Sequence, residues 1–305
     1  MFQIVKDTKI DFIGKRKAAF AISGIMLLAA FYAFYLIAAD KANMGLDFTG
    51  GSTVHVKFDR SVSVADIRGV MALEGYERAM IQQIGNEEEN EFIIRMGLLD
   101  AEAGEASRKV KEVFEKDMPE AGLSIEGSSE IGPVVSGQLK QKALLAMLWA
   151  VIGILIYIWL RFKFKFAVAA TVATFHDVFV VLGIMVLLGK EIDLLVVTAL
   201  LTLAGYSLND TVVLFDRIRE NLRFILKSSY GEIVNRSINE VLSRTIITSG
   251  TTLMVVGSLY LFGGHVLQNF SFTLLLGILV GTYSSVFVAS PVVVEWDNFE
   301  KKGRD

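Results

Sequence analysis

The sequence contains no cysteine, which excludes a disulfide, a thiolate nucleophile and a thiolate metal site, and leaves the redox compartment unread. Its three histidines, His55, His176 and His265, lie far apart and make no ligand pattern, so no metal is expected. Proline is nearly as scarce, at three in 305 residues. There is no GxxxxGK loop to cradle phosphates, no HExxH, and no nucleophile beside a base; Gly50-Gly51 is too short a glycine pair for nucleotide binding. Neither an enzyme nor a cofactor is expected, and no nucleic-acid partner.

What the chain has in excess is apolar residues, 53% of the total, gathered into runs rather than spread out. Uncharged or nearly uncharged stretches fall at 18–39, 143–160, 166–189, 194–215, 245–264 and 267–294. Each is long enough to carry a helix across about 30 Å of hydrocarbon at about 1.5 Å per residue. Six transmembrane helices are therefore expected. The first could be mistaken for a signal peptide, but an uncharged core of 22 residues reads as a retained anchor, since cleavable cores usually run to about 15.

Lysine and arginine set the expected orientation, because short loops rich in them stay in the cytoplasm. Five precede the first run (Lys6, Lys9, Lys15, Arg16, Lys17), three fill 161–165, six lie between Arg217 and Arg244, and three close the chain. The loops of opposite parity hold Lys190 alone. Residues 1–17, the loop 216–244 and the tail 295–305 should be cytoplasmic, which leaves 40–142 outside. That segment carries a net charge of −7, against +4 for the remainder.

The outer segment is too long and too patterned for a plain loop. Alternation predicts strands at 52–58, 80–84, 91–96 and 123–131, and helical spacing predicts helices at 62–73, with Ser61 or Ser63 as cap, and 102–116. The order βαββαβ suggests a small α+β, ferredoxin-like domain; another α+β strand order is the alternative. Val134 to Gln141 reads as a connector into the second span, with a hinge as the other reading.

Ionisable residues inside spans are costly and mark a pathway, a partner or a proton relay. Asp177, behind His176, sits in the middle of the third run; Asp210, behind Asn209, lies past the centre of the fourth; Arg244 opens the fifth. Arg244 and Asp210 could instead reach the headgroup region, an escape that Asp177 is too deep to use. Arg244, Thr248 and Thr251 or Thr252 form a polar stripe at helical spacing. Such hydroxyls either bond the carbonyls of their own helix or face the aspartates and hold a file of water.

Four stretches then carry a resemblance: GLDFTGG at 45–51, FHDV at 175–178, GYSLNDTVVLFDRIREN at 205–221 and SRTIITSGTTL at 243–253. Together, over the whole length of the chain, they resemble the SecD/SecF family of protein-export membrane subunits, on its SecF side, within the resistance-nodulation-division superfamily. The resemblance implies a bacterial inner-membrane protein paired with SecD and associated with the SecYEG channel and YajC. It implies use of the proton motive force to help draw unfolded preproteins outward. By the same resemblance Asp210 and Arg244 match the family's proton-conducting aspartate and arginine, Asp177 matches its HD pair, and Asn209, His176 and Thr248 would support them. Gly45, Asp47, Gly50 and Gly51 match a turn that launches the first strand. A half-transporter exporting a small substrate by proton antiport and a purely structural scaffold for SecD are the competing readings.

Overall fold

The computed structural model describes residues 8–77, 79–84, 89–97, 105–225 and 228–302. Two compact units emerge, one formed by 1–43 with 146–305 and one by 44–145.

Among the described residues, six helices are long and apolar enough to cross a membrane. They are α1 (Arg16–Ala38), α5 (Pro133–Arg161), α6 (Phe164–Leu187), α7 (Leu194–Phe224), α8 (Tyr230–Phe262) and a sixth span built from α9 (Gly264–Ser284), a π-helical turn (Ser285–Ala289) and α10 (Ser290–Lys302). Three of them, α6, α7 and the sixth span, are more than half buried along their apolar windows, whereas α1, α5 and α8 turn most of that surface outward. The first unit therefore has a three-helix centre flanked by helices that bury little within this chain.

Small residues let the central helices approach closely, which is how packing is won where water gives no hydrophobic push between spans. A Cβ added at Gly183 of α6 would lie 2.7 Å from the Cα of Ala30 in α1, and one at Gly281 of α9 would lie 3.0 Å from the Cβ of Ser207 in α7. The π turn precedes Pro291, which has no N–H to return to the carbonyl four residues back. Just before it, the hydroxyl of Ser290 donates to the carbonyl of Ser285 at 3.0 Å.

Two expected boundaries differ from the structure. Residues 134–141 are not an irregular connector, because α5 begins at Pro133. The loop expected over 216–244 is largely helical: α7 runs to Phe224, and α8 starts at Tyr230 behind a Ser229–Glu232 capping box. Hydropathy stops where charge begins, but a helix does not, since Arg217–Glu240 (2.7 Å), Arg236–Glu240 (2.9 Å) and Asn221–Ser237 (3.0 Å) hold the extensions together. Against this part of α8 lies the N-terminal strap. Asn239 both accepts from the amide of Ile10 (3.0 Å) and donates to its carbonyl (2.9 Å). Asn235 accepts from the amides of Phe12 (2.8 Å) and Ile13 (3.2 Å), so that both side chains enter the core.

The second unit is a four-stranded antiparallel sheet in the order β2-β3-β1-β4, from β1 (Gly51–Phe58), β2 (Met80–Ile84), β3 (Glu91–Met96) and β4 (Leu123–Ile131). With α3 (Val64–Leu73) after β1 and α4 (Ala106–Asp117) after β3, this is the expected βαββαβ ferredoxin-like arrangement. Of the helix expected over 102–116, residues 102–104 lie outside the described residues, as do Lys6 and Lys227. Val54, Val56, Phe58, Phe92, Ile94 and Met96 form the buried face, covered by Ile67 and Met71 of α3 and Val110 and Phe114 of α4. The rings of Phe58 and Phe114 meet edge to face at 5.3 Å. Ser63 caps α3 in a capping box with Asp66.

Before β1 the chain makes one helical turn, α2 (Leu46–Thr49), with Asp47 in its first turn. Gly45 opens that turn, its carbonyl accepting from Phe48 N at 3.0 Å. Gly50 and Gly51 follow at φ of 67° and 113°, and a Cβ on Gly51 would strike the carbonyl oxygen of Met96. Glycine is required there by both conformation and space.

Candidate functional site

Two aspartates, a histidine and four hydroxyls meet along the seam between α6, α7, α8 and α9. Asp177, on α6, is fully buried. One of its carboxylate oxygens accepts from the hydroxyls of Ser207 on α7 and Ser284 on α9, the latter at 2.7 Å. Its other oxygen lies 3.0 Å from Nδ1 of His176. His176 is itself buried, and its Nε2 has no hydrogen-bond partner among the described residues.

One turn beyond Ser207 stands Asp210, which is 6% exposed. Its nearest hydroxyl is Ser249 of α8, with Oγ at 3.5 Å from Oδ2. Ser249 in turn sits 2.8 Å from the hydroxyl of Thr282 on α9, and Thr282 donates to the carbonyl of Ile278 at 2.7 Å. Two carboxylates on neighbouring helices thus share a polar seam with the His176 imidazole and four hydroxyls.

The other residues singled out by sequence stand apart from that seam. Arg244 is exposed and makes no ion pair with Asp210 among the described residues. Thr248, Thr251 and Thr252 donate to carbonyls of their own helix, at 2.9–3.0 Å. Thr248 also offers its carbonyl to the hydroxyl of Tyr206 on α7 at 3.3 Å. Asn209 is exposed.

Sequence reasoning missed Ser207, Ser249, Thr282 and Ser284. Ser207 carried a usable signal, since it precedes Asp210 by three residues and so lies near its face. Ser249 and Thr282 carried none, because serine and threonine in a membrane helix ordinarily bond back to their own backbone.

Fold and seam together define a multi-pass membrane protein with carboxylates buried between its central spans and one ferredoxin-like domain inserted between the first two. That class spans many transport systems, and comparison with known proteins narrows it. Residues 110–299 match the model described as "Protein export membrane protein SecD/SecF, C-terminal", and residues 35–62 match the SecD/SecF GG motif. The chain belongs to the SecD/SecF family. It is 48% identical over 296 residues to the protein translocase subunit SecF of Thermodesulfovibrio yellowstonii, covering 96% of this chain and 97% of that one. With the SecF of Escherichia coli O157:H7 it shares 38% identity over 93% of this chain and 87% of its relative. Among solved structures it is similar to SecDF of Thermus thermophilus, described as a translocon-associated membrane protein, with a TM-score of 0.83 and 35% identity over 98% of this chain. It spans 40% of that SecDF chain.

Proposed function

We propose that this chain is the SecF-type auxiliary subunit of a Sec protein-export machinery, and that with a SecD-type partner it uses the proton motive force to promote movement of preproteins across the inner membrane. Both ends lie in the cytoplasm and residues 40–142 on the periplasmic side, in keeping with the basic loops. The SecYEG channel, YajC and the unfolded preprotein are its further partners. Full-length similarity to SecF subunits supports the export role. The SecDF chain, of which this one matches less than half, supports a partner that supplies the rest and meets the outward-facing surfaces of α1, α5 and α8.

Asp210 is the proton site in this reading. Its burial in a span, beside a hydroxyl and without an ion pair, is the observation that carries it: a carboxylate so placed gains from taking up a proton and losing its charge. Arg244, exposed on this chain alone, biases that exchange and is brought nearer as α8 moves or the partner packs. Asp177 with His176 forms a second polar station of the relay. Protonation changes the packing of α7 against its neighbours, and the periplasmic domain responds. In proteoliposomes containing the whole translocase, Asp210→Asn should abolish the gradient-dependent part of preprotein export while leaving the ATP-driven part. Normal gradient dependence in that variant would exclude Asp210.

A further inference from the structure

Hydrogen-bond inventory gives the seam around Asp210 a specific property. Ser249 and Thr282 have one hydroxyl proton each. Three contacts require a proton: Asp210 to Ser249, Ser249 to Thr282, and Thr282 to the carbonyl of Ile278. Two protons cannot fill three bonds. The structure has two short contacts, 2.8 and 2.7 Å, and one long one, 3.5 Å at Asp210.

A proton on Asp210 supplies what is missing. The carboxyl then donates to Ser249, Ser249 to Thr282, and Thr282 to the carbonyl of Ile278, so the chain closes in one direction. When Asp210 is ionised, Ser249 turns its proton to the carboxylate, a stronger acceptor than a hydroxyl. Thr282 must then choose between Ser249 and the carbonyl of Ile278, and one bond is lost.

We infer that Ser249 and Thr282 are positioning residues that report the proton on Asp210 as a bond between α8 and α9, made when the carboxyl is protonated and weakened when it is not. This rests on the reading of Asp210 as a proton site. It gives that reading a mechanical output, because α8 carries Arg244 and is little buried within this chain. The charged and titratable groups around Asp210 are few. Arg244 lies on α8, and Asp177 with His176 lies on α6, bonded to Ser207 one turn before Asp210 on α7. On α9 Tyr283 follows Thr282 directly, and its hydroxyl is occupied by the carbonyl of Ala19 and by Ser23 of α1. On α7 itself Asp216 is paired with Arg161 and Arg219.

The absence of cysteine makes the test direct. Spin labels on Ser258→Cys of α8 and Leu279→Cys of α9, both exposed in this chain, report the separation of the two helices in the full chain reconstituted with its SecD-type partner. The closed population should be about threefold larger at acid than at alkaline pH, the change that one membrane hydrogen bond of average strength supports. Thr282→Val should make the distribution independent of pH, and Thr282→Ser should restore the dependence. Asp210→Asn, whose amide donates permanently, should hold the closed population at every pH. No pH-dependent shift in the labelled parent, or a shift that survives Thr282→Val, overturns the hydroxyl bridge. If the shift is lost in Asp210→Asn but kept in Thr282→Val, the bridge alone is wrong. A shift that persists in Asp210→Asn, with proton flux also intact, removes the proton-site reading as well.

Discussion

Replacing Gly183 by alanine should loosen the anchor helix α1, although alanine is the better helix former. A helix interior gains up to about 1 kcal/mol when glycine becomes alanine, and Gly153 of α5, with nothing within 4 Å of an added Cβ, should show that gain. At Gly183 the new Cβ would lie 2.7 Å from the Cα and 2.8 Å from the Cβ of Ala30. Comfortable carbon contacts begin near 3.5 Å, and the obstacle includes backbone rather than the end of a flexible chain. The helices must separate by about 1 Å. That gap opens a seam in which Ala30 and Ala33 are almost completely buried and Phe34 meets Phe179 at 4.8 Å. Overpacking of this kind costs about 1–3 kcal/mol, which outweighs or cancels the propensity gain, so the two variants should differ by about 1–3 kcal/mol. Denaturation of the purified chain in detergent measures the difference. Equal shifts for Gly183→Ala and Gly153→Ala would refute the claim that α1 is held by close approach.

Three other perturbations test separate parts of the structure. Ser63→Ala removes the capping box of α3 and should cost the inserted domain about 1 kcal/mol, read from its thermal unfolding. The ammonium of Lys57, hydrogen-bonded to Glu91, holds that carboxyl below the usual range. Because the folded value is the lower one, the stabilisation is present above the free glutamate value and is lost as pH falls through the depressed one. Lys57→Met should move the Glu91 titration, followed by NMR, up toward about 4.3. Asn235→Ala removes the acceptor for two strap amides, so exchange of the Phe12 and Ile13 amide hydrogens should quicken about fivefold, from a net bond strength of about 1 kcal/mol; unchanged exchange would mean the strap is held by its buried side chains alone.

The parts of this architecture that follow from local pattern were legible in the sequence. Strands β2, β3 and β4 begin and end where alternation places them, because one face of the sheet is buried and period two has no other cause. Spans were legible as uncharged runs, but not their full helices. The charged turns of α7 and α8 beyond the apolar stretches carry no hydropathy signal, yet remain helical through pairs such as Arg236–Glu240. At the seam, Asp177 and Asp210 could be singled out because charge inside a span is costly wherever it points. The hydroxyls could not. Thr248 satisfies its own helix while Ser249, one residue on, faces Asp210, and the difference is a rotation of about 100° set by how α8 packs on α7 and α9. The glycine contact at Gly183 is equally invisible before the partner helix is known.

The central claim is that Asp210 takes up and releases the protons that drive this subunit, and proton flux itself tests it most directly. Vesicles containing the chain with its SecD-type partner, loaded with a pH-sensitive dye and given an imposed gradient, should acidify or alkalinise at a rate that falls to that of empty vesicles in Asp210→Asn and recovers substantially in Asp210→Glu. Flux in Asp210→Asn equal to that of the parent would contradict the account.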